Sequence, residues 1–288
     1  MRVMAWNTGW NVTASKVSTQ TDAVAQLDAD VAFFSEWSPS ATRTISGGRT
    51  RGSGGHTRGP ALAANGFVHQ CQQHVLDYAG DGREWRKLYW GILAASRQPI
   101  VKVELDPPLF APSTWLEVEH VESGLTLVGV RLPAWDGNDA GLRRVTWRWM
   151  VEQFDRLATA PAVVLGDFNT EMRYATEGRQ RRYGGDLLRS LTAERGWRDA
   201  FDAAGVPKTD TYVRNNGAGT RVDYAFVSPG FSGAVGAAAP ERVGEHTLLR
   251  RPASRGRDRV PGLSDHAPVV VDLQPSVLAR EDKRDDTD

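Results

Sequence analysis

Asn7, Glu36, Asp167 with Asn169, Asp223, and Asp265 with His266 each abut a short apolar, strand-like run. Carboxylates, carboxamides and one imidazole are the groups that hold a hard divalent cation and move a proton. Oxygen donors with a single histidine favour magnesium or manganese; zinc takes more His or Cys. A cation held this way neutralises phosphate charge and stabilises a leaving oxygen. If the apolar runs lie side by side as strands, their polar ends meet in one cleft suited to cleaving a phosphate ester.

The elements that would position these groups follow from hydrophobic pattern. Arg2 to Trp6 reads as an opening strand. A helix then places Val17, Thr21, Val24 and Leu27 on one face, and a strand covers Asp30 to Phe34. Tyr89 to Ser96, Trp115 to Val121 and Leu125 to Arg131 read as further strands. The clearest amphipathic helix carries Trp147, Met150, Val151, Phe154 and Leu157 at helical spacing. It exits through Pro161 into a buried-type strand over Ala162 to Leu165. A second helix is expected over Asp186 to Arg195 with Gly196 as its stop, then strands over Arg221 to Val227 and Pro268 to Leu273. Ser46 to Gly59, rich in Gly, Arg and Ser, is expected to be a mobile surface loop. Helices and strands alternate without a dividing linker, which predicts one α/β domain over 1–275 and a charged, fraying tail over 276–288.

Composition narrows the setting. The formal net charge is zero, so attraction for a polyanion must come from local clusters such as Arg49 to Arg51, Arg83 to Lys87 and Arg179 to Arg182. Such clusters also serve as solvated faces. Cys71 is alone, which fits a reducing compartment. The opening residues lack a secretory apolar core, and no run approaches the roughly 18 apolar residues of a membrane span. A cytoplasmic protein without membrane insertion is the expectation, and the sequence implies no protein partner. Trp147 and Trp149 suit helix packing. Trp10, Trp37 and Trp135 lie just past strand ends and are better placed to line a cleft, although packing is the favoured role for these too.

Taken in order, Trp6-Asn7, Asp30 to Glu36, Tyr89 to Arg97, Gly166-Asp167-Phe168-Asn169, Arg221-Val222-Asp223-Tyr224 and Ser264-Asp265-His266 resemble the motifs of the endonuclease/exonuclease/phosphatase superfamily. The resemblance runs from about residue 2 to residue 273. It implies a four-layer α/β sandwich, two packed mixed sheets flanked by helices. It implies that Glu36 binds Mg2+ (or Mn2+), with Asn7 and Asp265 nearby. Asp167 would orient or deprotonate the attacking water, helped by Asn169. His266, held by Asp223, would contact a non-bridging phosphate oxygen or shuttle a proton; its ordinary pKa of about 6.5 suits that task.

One position departs from the pattern. Where nuclease relatives place His or Tyr, this chain has Arg131-Leu132-Pro133. Arginine is no general acid near neutrality, but its planar fork binds phosphate oxygens. Substrate binding is therefore assigned to Arg131 together with Asn169. The leading expectation is a metal-dependent phosphodiester hydrolase acting on nucleic acid. A phosphatase or phosphodiesterase for a small or lipid headgroup is the alternative. Against it, the Trp-Cys-Asp-Arg signature of the 5-phosphatases is replaced by Thr220-Arg221-Val222-Asp223, and no membrane-docking hairpin is evident. A third reading is a pseudoenzyme that binds without cleaving, for which Arg131 is the sequence support. Each residue alone also has a plain explanation: Asp167 and Asn169 suit an Asx turn, Asp223 a strand end, His266 a satisfied core position.

Overall fold

Strands buried on both faces read as near-continuous apolar runs, because each successive side chain meets a different core. Ala162–Asp167 is such a run: Val163 and Leu165 face one hydrophobic cluster, Ala162 and Val164 another. Arg2–Asn7 does the same, with Val3 and Ala5 on one side and Met4 and Trp6 on the other. A computed structural model describes residues 1–9, 14–37, 42–45, 49–52, 55–73, 91–105, 114–132, 140–172, 184–207, 209–214, 216–251 and 260–275.

Two six-stranded mixed sheets pack face to face. The first runs Gly233–Ala238, Val269–Pro275, Arg2–Asn7, Val31–Trp37, Gly91–Ser96, His69–Gln73. The second runs Arg198–Asp199, Asp223–Val227, Ala162–Asp167, Leu125–Arg131, Trp115–His120, Ile100–Lys102. Among the described residues each sheet contains a single parallel pair, Arg2–Asn7 with Val31–Trp37 and Leu125–Arg131 with Ala162–Asp167, and every other pairing is antiparallel. A parallel pair needs a long crossover. The helices Ala14–Gln26 and Ala140–Leu157 supply these connections.

The three main hydrophobic clusters are the three interfaces of a four-layer sandwich. Val3, Phe33, Leu127 and Leu165 fill the space between the sheets. Ala23, Val24 and Leu27 of the first helix, with Leu62 of Gly55–Ala64, cover the outer face of the first sheet. Trp147, Met150 and Phe154, with Leu188 and Leu191 of Gly185–Ala193, cover the second. At Gly129 the sheets approach so closely that a Cβ would sit 2.3 Å from a Phe33 ring carbon.

The expectation of a mobile loop over Ser46 to Gly59 is corrected. Thr42–Ile45 and Arg49–Gly52 form a hairpin, and Gly55–Ala64 is a helix. Composition masked that helix, since its anchors are one buried leucine and the buried Arg58, whose Nη2 donates to Gln20 Oε1 at 2.9 Å. The described strand near Tyr89 begins at Gly91, the one expected from Arg221 begins at Asp223, and that after Asp30 extends to Trp37. Tyr89, Trp10, Trp135, the Trp37 side chain, the three arginine-rich clusters' side chains and the 276–288 tail lie outside the described residues. Among the described residues no helix is long and apolar enough to cross a membrane.

Candidate active site

The parallel strands of both sheets end at the same edge of the sandwich, and there the polar groups meet. Asn7 closes its strand. Glu36 is the extra residue of a bulge, since the ladder to Gly91–Ser96 slips between Ser35 and Trp37. Its φ of 60° is left-handed, a conformation costing on the order of 1–3 kcal/mol in a non-glycine residue. The bulge turns the carboxylate out of the strand's alternation. In the second sheet, Arg131, Asp167 and Asp223 form one lateral row, Asp167 being opposite Arg131 in the parallel ladder and opposite Asp223 in the antiparallel one. Gly166 precedes Asp167 at φ 139°, and a Cβ there would lie 2.2 Å from the Val130 carbonyl oxygen, so only glycine fits.

Asp167 is held by three donors. Its Oδ2 accepts from Asn7 Nδ2 at 3.0 Å and from Asn169 Nδ2 at 2.9 Å, while Oδ1 accepts the Asn169 backbone N–H at 2.9 Å. That last bond is an Asx turn, so local turn chemistry and the site coincide. Asn169, at φ 47°, also donates to the Leu132 carbonyl at 2.6 Å. Asn7 Nδ2 also reaches Glu36 Oε1 at 3.3 Å, the oxygen that takes Arg131 Nη2 at 3.3 Å. This guanidinium and carboxylate are largely buried, with side-chain exposures of 7% and 15%.

His266 Nδ1 lies 2.9 Å from Asp223 Oδ2 and 3.2 Å from Oδ1. Its carbonyl accepts the Trp6 indole N–H at 2.9 Å, and its N–H is taken by Ser264 Oγ, which itself donates to the Asn7 carbonyl at 2.6 Å. The histidine is thereby tied to the Asn7 strand. Asp265 stands apart from this network. Its carboxylate is about a third exposed and lies 3.4 Å from Arg250 Nη2.

Burial raises the Asp167 carboxyl pKa, and the Asp223 charge adds to this, while His266 and Arg131 oppose it. Burial pulls the His266 imidazole down, but Asp223, Asp167 and Asp265 together outweigh it and lift the pKa to about 10. The acidic surroundings therefore favour the protonated imidazole of His266.

The donor set fits a hard cation. Asp167, Asp223 and His266 offer ligand atoms within 4.8 Å of one another and could hold a metal ion. Two of those three are already engaged with each other, however. Glu36 Oε2 takes no hydrogen bond among the described residues, which leaves it the more available oxygen. The sequence motif contained Ser264 but not its hydrogen bonds to Asn7 and His266, and the Arg131–Glu36 pair was not foreseen, because nothing in linear spacing marks such contacts.

Solved structures share this fold at low identity. A protein described as an endonuclease/exonuclease/phosphatase from Beutenbergia cavernae is 20% identical with a TM-score of 0.59, covering 96% of this chain and 72% of that one. The 3' phosphatase NExo from Neisseria, bound to a product DNA hairpin, is 17% identical with a TM-score of 0.60, covering 95% of this chain and 99% of that one. An AP endonuclease from Archaeoglobus fulgidus is 15% identical with a TM-score of 0.58, covering 95% and 99%. No curated protein matches significantly in sequence. The model of the Endonuclease/Exonuclease/phosphatase family matches residues 4–266, a stretch that contains the whole Asn7-to-His266 network, and the chain belongs to that family.

Proposed function

We propose that this protein is a divalent-metal-dependent phosphodiester hydrolase whose substrate is nucleic acid. Members of its family are metal-dependent phosphoesterases, nucleases and phosphatases among them. The observation that carries the reading is the convergence of Asn7, Glu36, Arg131, Asp167 and Asn169 in one hydrogen-bonded network beside the Asp223–His266 pair. A fold alone does not require buried acids from positions so far apart to meet. The solved neighbours, one bound to a DNA hairpin and another an AP endonuclease, support nucleic acid over a small phosphoester.

Glu36 would hold Mg2+ or Mn2+, with Asn7 and Asp265 nearby, directly or through water; when bound, the ion neutralises phosphate charge and stabilises the leaving oxygen. Arg131, beside Glu36, would bind a non-bridging phosphate oxygen through its guanidinium. Asp167, raised in pKa and fixed by Asn7 and Asn169, orients the attacking water and takes its proton. The water oxygen bonds to phosphorus as the bond to the leaving oxygen breaks. That oxygen departs with the electron pair and takes a proton from solvent. His266, charged and fixed by Asp223, donates to a second non-bridging oxygen as negative charge builds there.

The test is product release from labelled single-stranded DNA, double-stranded DNA, RNA and a generic phosphodiester, with Mg2+, Mn2+ or EDTA. Cleavage that needs metal and vanishes in Asp167→Ala is expected. Saturable Mn2+ binding without turnover on any substrate would overturn the reading and point to a protein that binds without cleaving. Nucleic acid binding should also weaken steeply with salt.

A further inference from the structure

The Asp223–His266 contact joins two separately anchored backbones. Asp223 opens a strand of the second sheet, whereas His266 lies just before Val269–Pro275 of the first. Asp223 sits opposite Asp167, and the Phe168 N–H donates to the Val222 carbonyl at 2.9 Å. In an antiparallel ladder this makes 167/223 a non-hydrogen-bonded pair, so the Asp223 N–H points away from Ala162–Asp167. The strand on that other side, Arg198–Asp199, pairs only with Val227 and Phe226 and ends before reaching Asp223.

Thr211 takes the missing strand's place. It is fully buried, and its Oγ1 accepts the backbone N–H groups of both Val222, at 3.1 Å, and Asp223, at 3.0 Å. The same residue grips the histidine loop. The Thr211 carbonyl accepts the Ala267 N–H at 2.7 Å, and Val213 N–H donates to the Asp265 carbonyl at 3.1 Å. Residues 211–213 thus lie antiparallel to 265–267, with Tyr212 bridged to His266 and its ring 4.7 Å from the imidazole.

We propose that Thr211 is a positioning residue of the active site, holding Asp223 by its side chain and the His266 loop by its backbone so that the two partners meet. Thr211 touches none of the reacting atoms. Its effect passes through the register of two backbones across the gap between the sheets. The kinetic part of this inference rests on the phosphodiesterase reading; the geometric part does not.

The experiment compares Thr211→Val, nearly the same shape without the hydroxyl acceptor, with Thr211→Ser, which retains it. The first readout needs neither metal nor substrate. In metal-free wild type, a downfield, slowly exchanging imidazole N–H proton of His266 is expected in the NMR spectrum, assigned by its loss in His266→Gln. Thr211→Val should lose or broaden it, and Thr211→Ser should keep it. Leu191→Ala, in the outer helix layer, serves as a matched destabilised control and should also keep it. The second readout is turnover: kcat should fall roughly ten- to a hundredfold in Thr211→Val with KM little changed, and recover in Thr211→Ser. An unaltered N–H resonance in Thr211→Val would overturn the proposal. So would equal loss of the resonance in Leu191→Ala at the same melting temperature, since general destabilisation would then explain it. Wild type inactive on every substrate would sink the functional reading, while the N–H comparison would still decide the placement.

Discussion

The two parallel strand pairs occupy matching places in their sheets, and each is joined by one long helix. Arg2–Asn7 and Val31–Trp37 end in Asn7 and Glu36; Leu125–Arg131 and Ala162–Asp167 end in Arg131 and Asp167. Their polar ends pair crosswise. Asn7 of the first half donates to Asp167 of the second, and Arg131 of the second donates to Glu36 of the first. The scaffold is nearly symmetric but the chemistry is not. Asp167 is held by the neutral amides of Asn7 and Asn169, whereas Glu36 meets both the Asn7 amide and a fixed guanidinium. The outer layers differ too. The first half packs Ala23, Ala29, Ala32 and Ala95 among its larger side chains, whereas the second interlocks Trp147, Phe154, Trp197 and Phe226.

That division of labour can be broken most severely at the acids. Asp167→Asn should lower kcat by at least roughly a hundredfold at any metal concentration. Glu36→Gln should also lower the rate, but with part of the loss recovered as Mn2+ is raised. Equal, metal-independent losses in both would erase the distinction between the halves.

The packing contrast comes next. Phe154 meets Trp115, Trp197 and Phe226 edge-on, so Phe154→Ala should cost about 3–5 kcal/mol. Val24→Ala in the opposite layer should cost about 1–3 kcal/mol. Urea unfolding with unchanged slope measures both.

Removing the cation of one cross-pair and the amide of the other sharpens the comparison further. Arg131→Met strands a largely buried carboxylate and should cost about 3 kcal/mol in EDTA, whereas Asn7→Ala should cost about 1–2 kcal/mol. Adding Mn2+ should shrink the first loss, because an ion then faces Glu36. A loss that Mn2+ leaves untouched would contradict the metal assignment.

The smallest effects belong to exposed pairs at the periphery. Arg2–Asp272 in the first half and Arg195–Asp155 in the second are each partly exposed, and alanine at either acid should change stability by no more than about 1 kcal/mol, fading with salt. A larger change at one of them would show an asymmetry that the core does not explain.

Most of the architecture was legible because strands and helices buried on one or both faces carry their burial as a pattern. Leu125–Arg131 lies where its apolar run predicts, and the Trp147–Leu157 periodicity marks the inner face of its helix. Gly233–Ala238 was not legible: its glycines and alanines carry no strand signal, and pairing with Val269–Pro275 alone makes it a strand. His69–Gln73 is similar, a polar run recruited by the edge of Gly91–Ser96. In the site, the acids were legible because a carboxylate beside an apolar run is conspicuous. The Glu36 bulge, the Arg131–Glu36 pair and the grip of Thr211 depend on backbone register between distant segments, which no local pattern encodes.

The place of Arg2–Asn7 in its sheet has a consequence for how the molecule is made. One of its edges pairs with Val31–Trp37, close behind it in the chain, but the other awaits Val269–Pro275. Ribosomes add about 5–20 residues per second, so that edge stays bare for tens of seconds while the intervening residues are synthesised. His266 emerges in the same late stretch as the closing strand. A nascent chain is therefore exposed to mispairing along a hydrophobic strand, and the Asp223–His266 contact forms only once both segments have emerged.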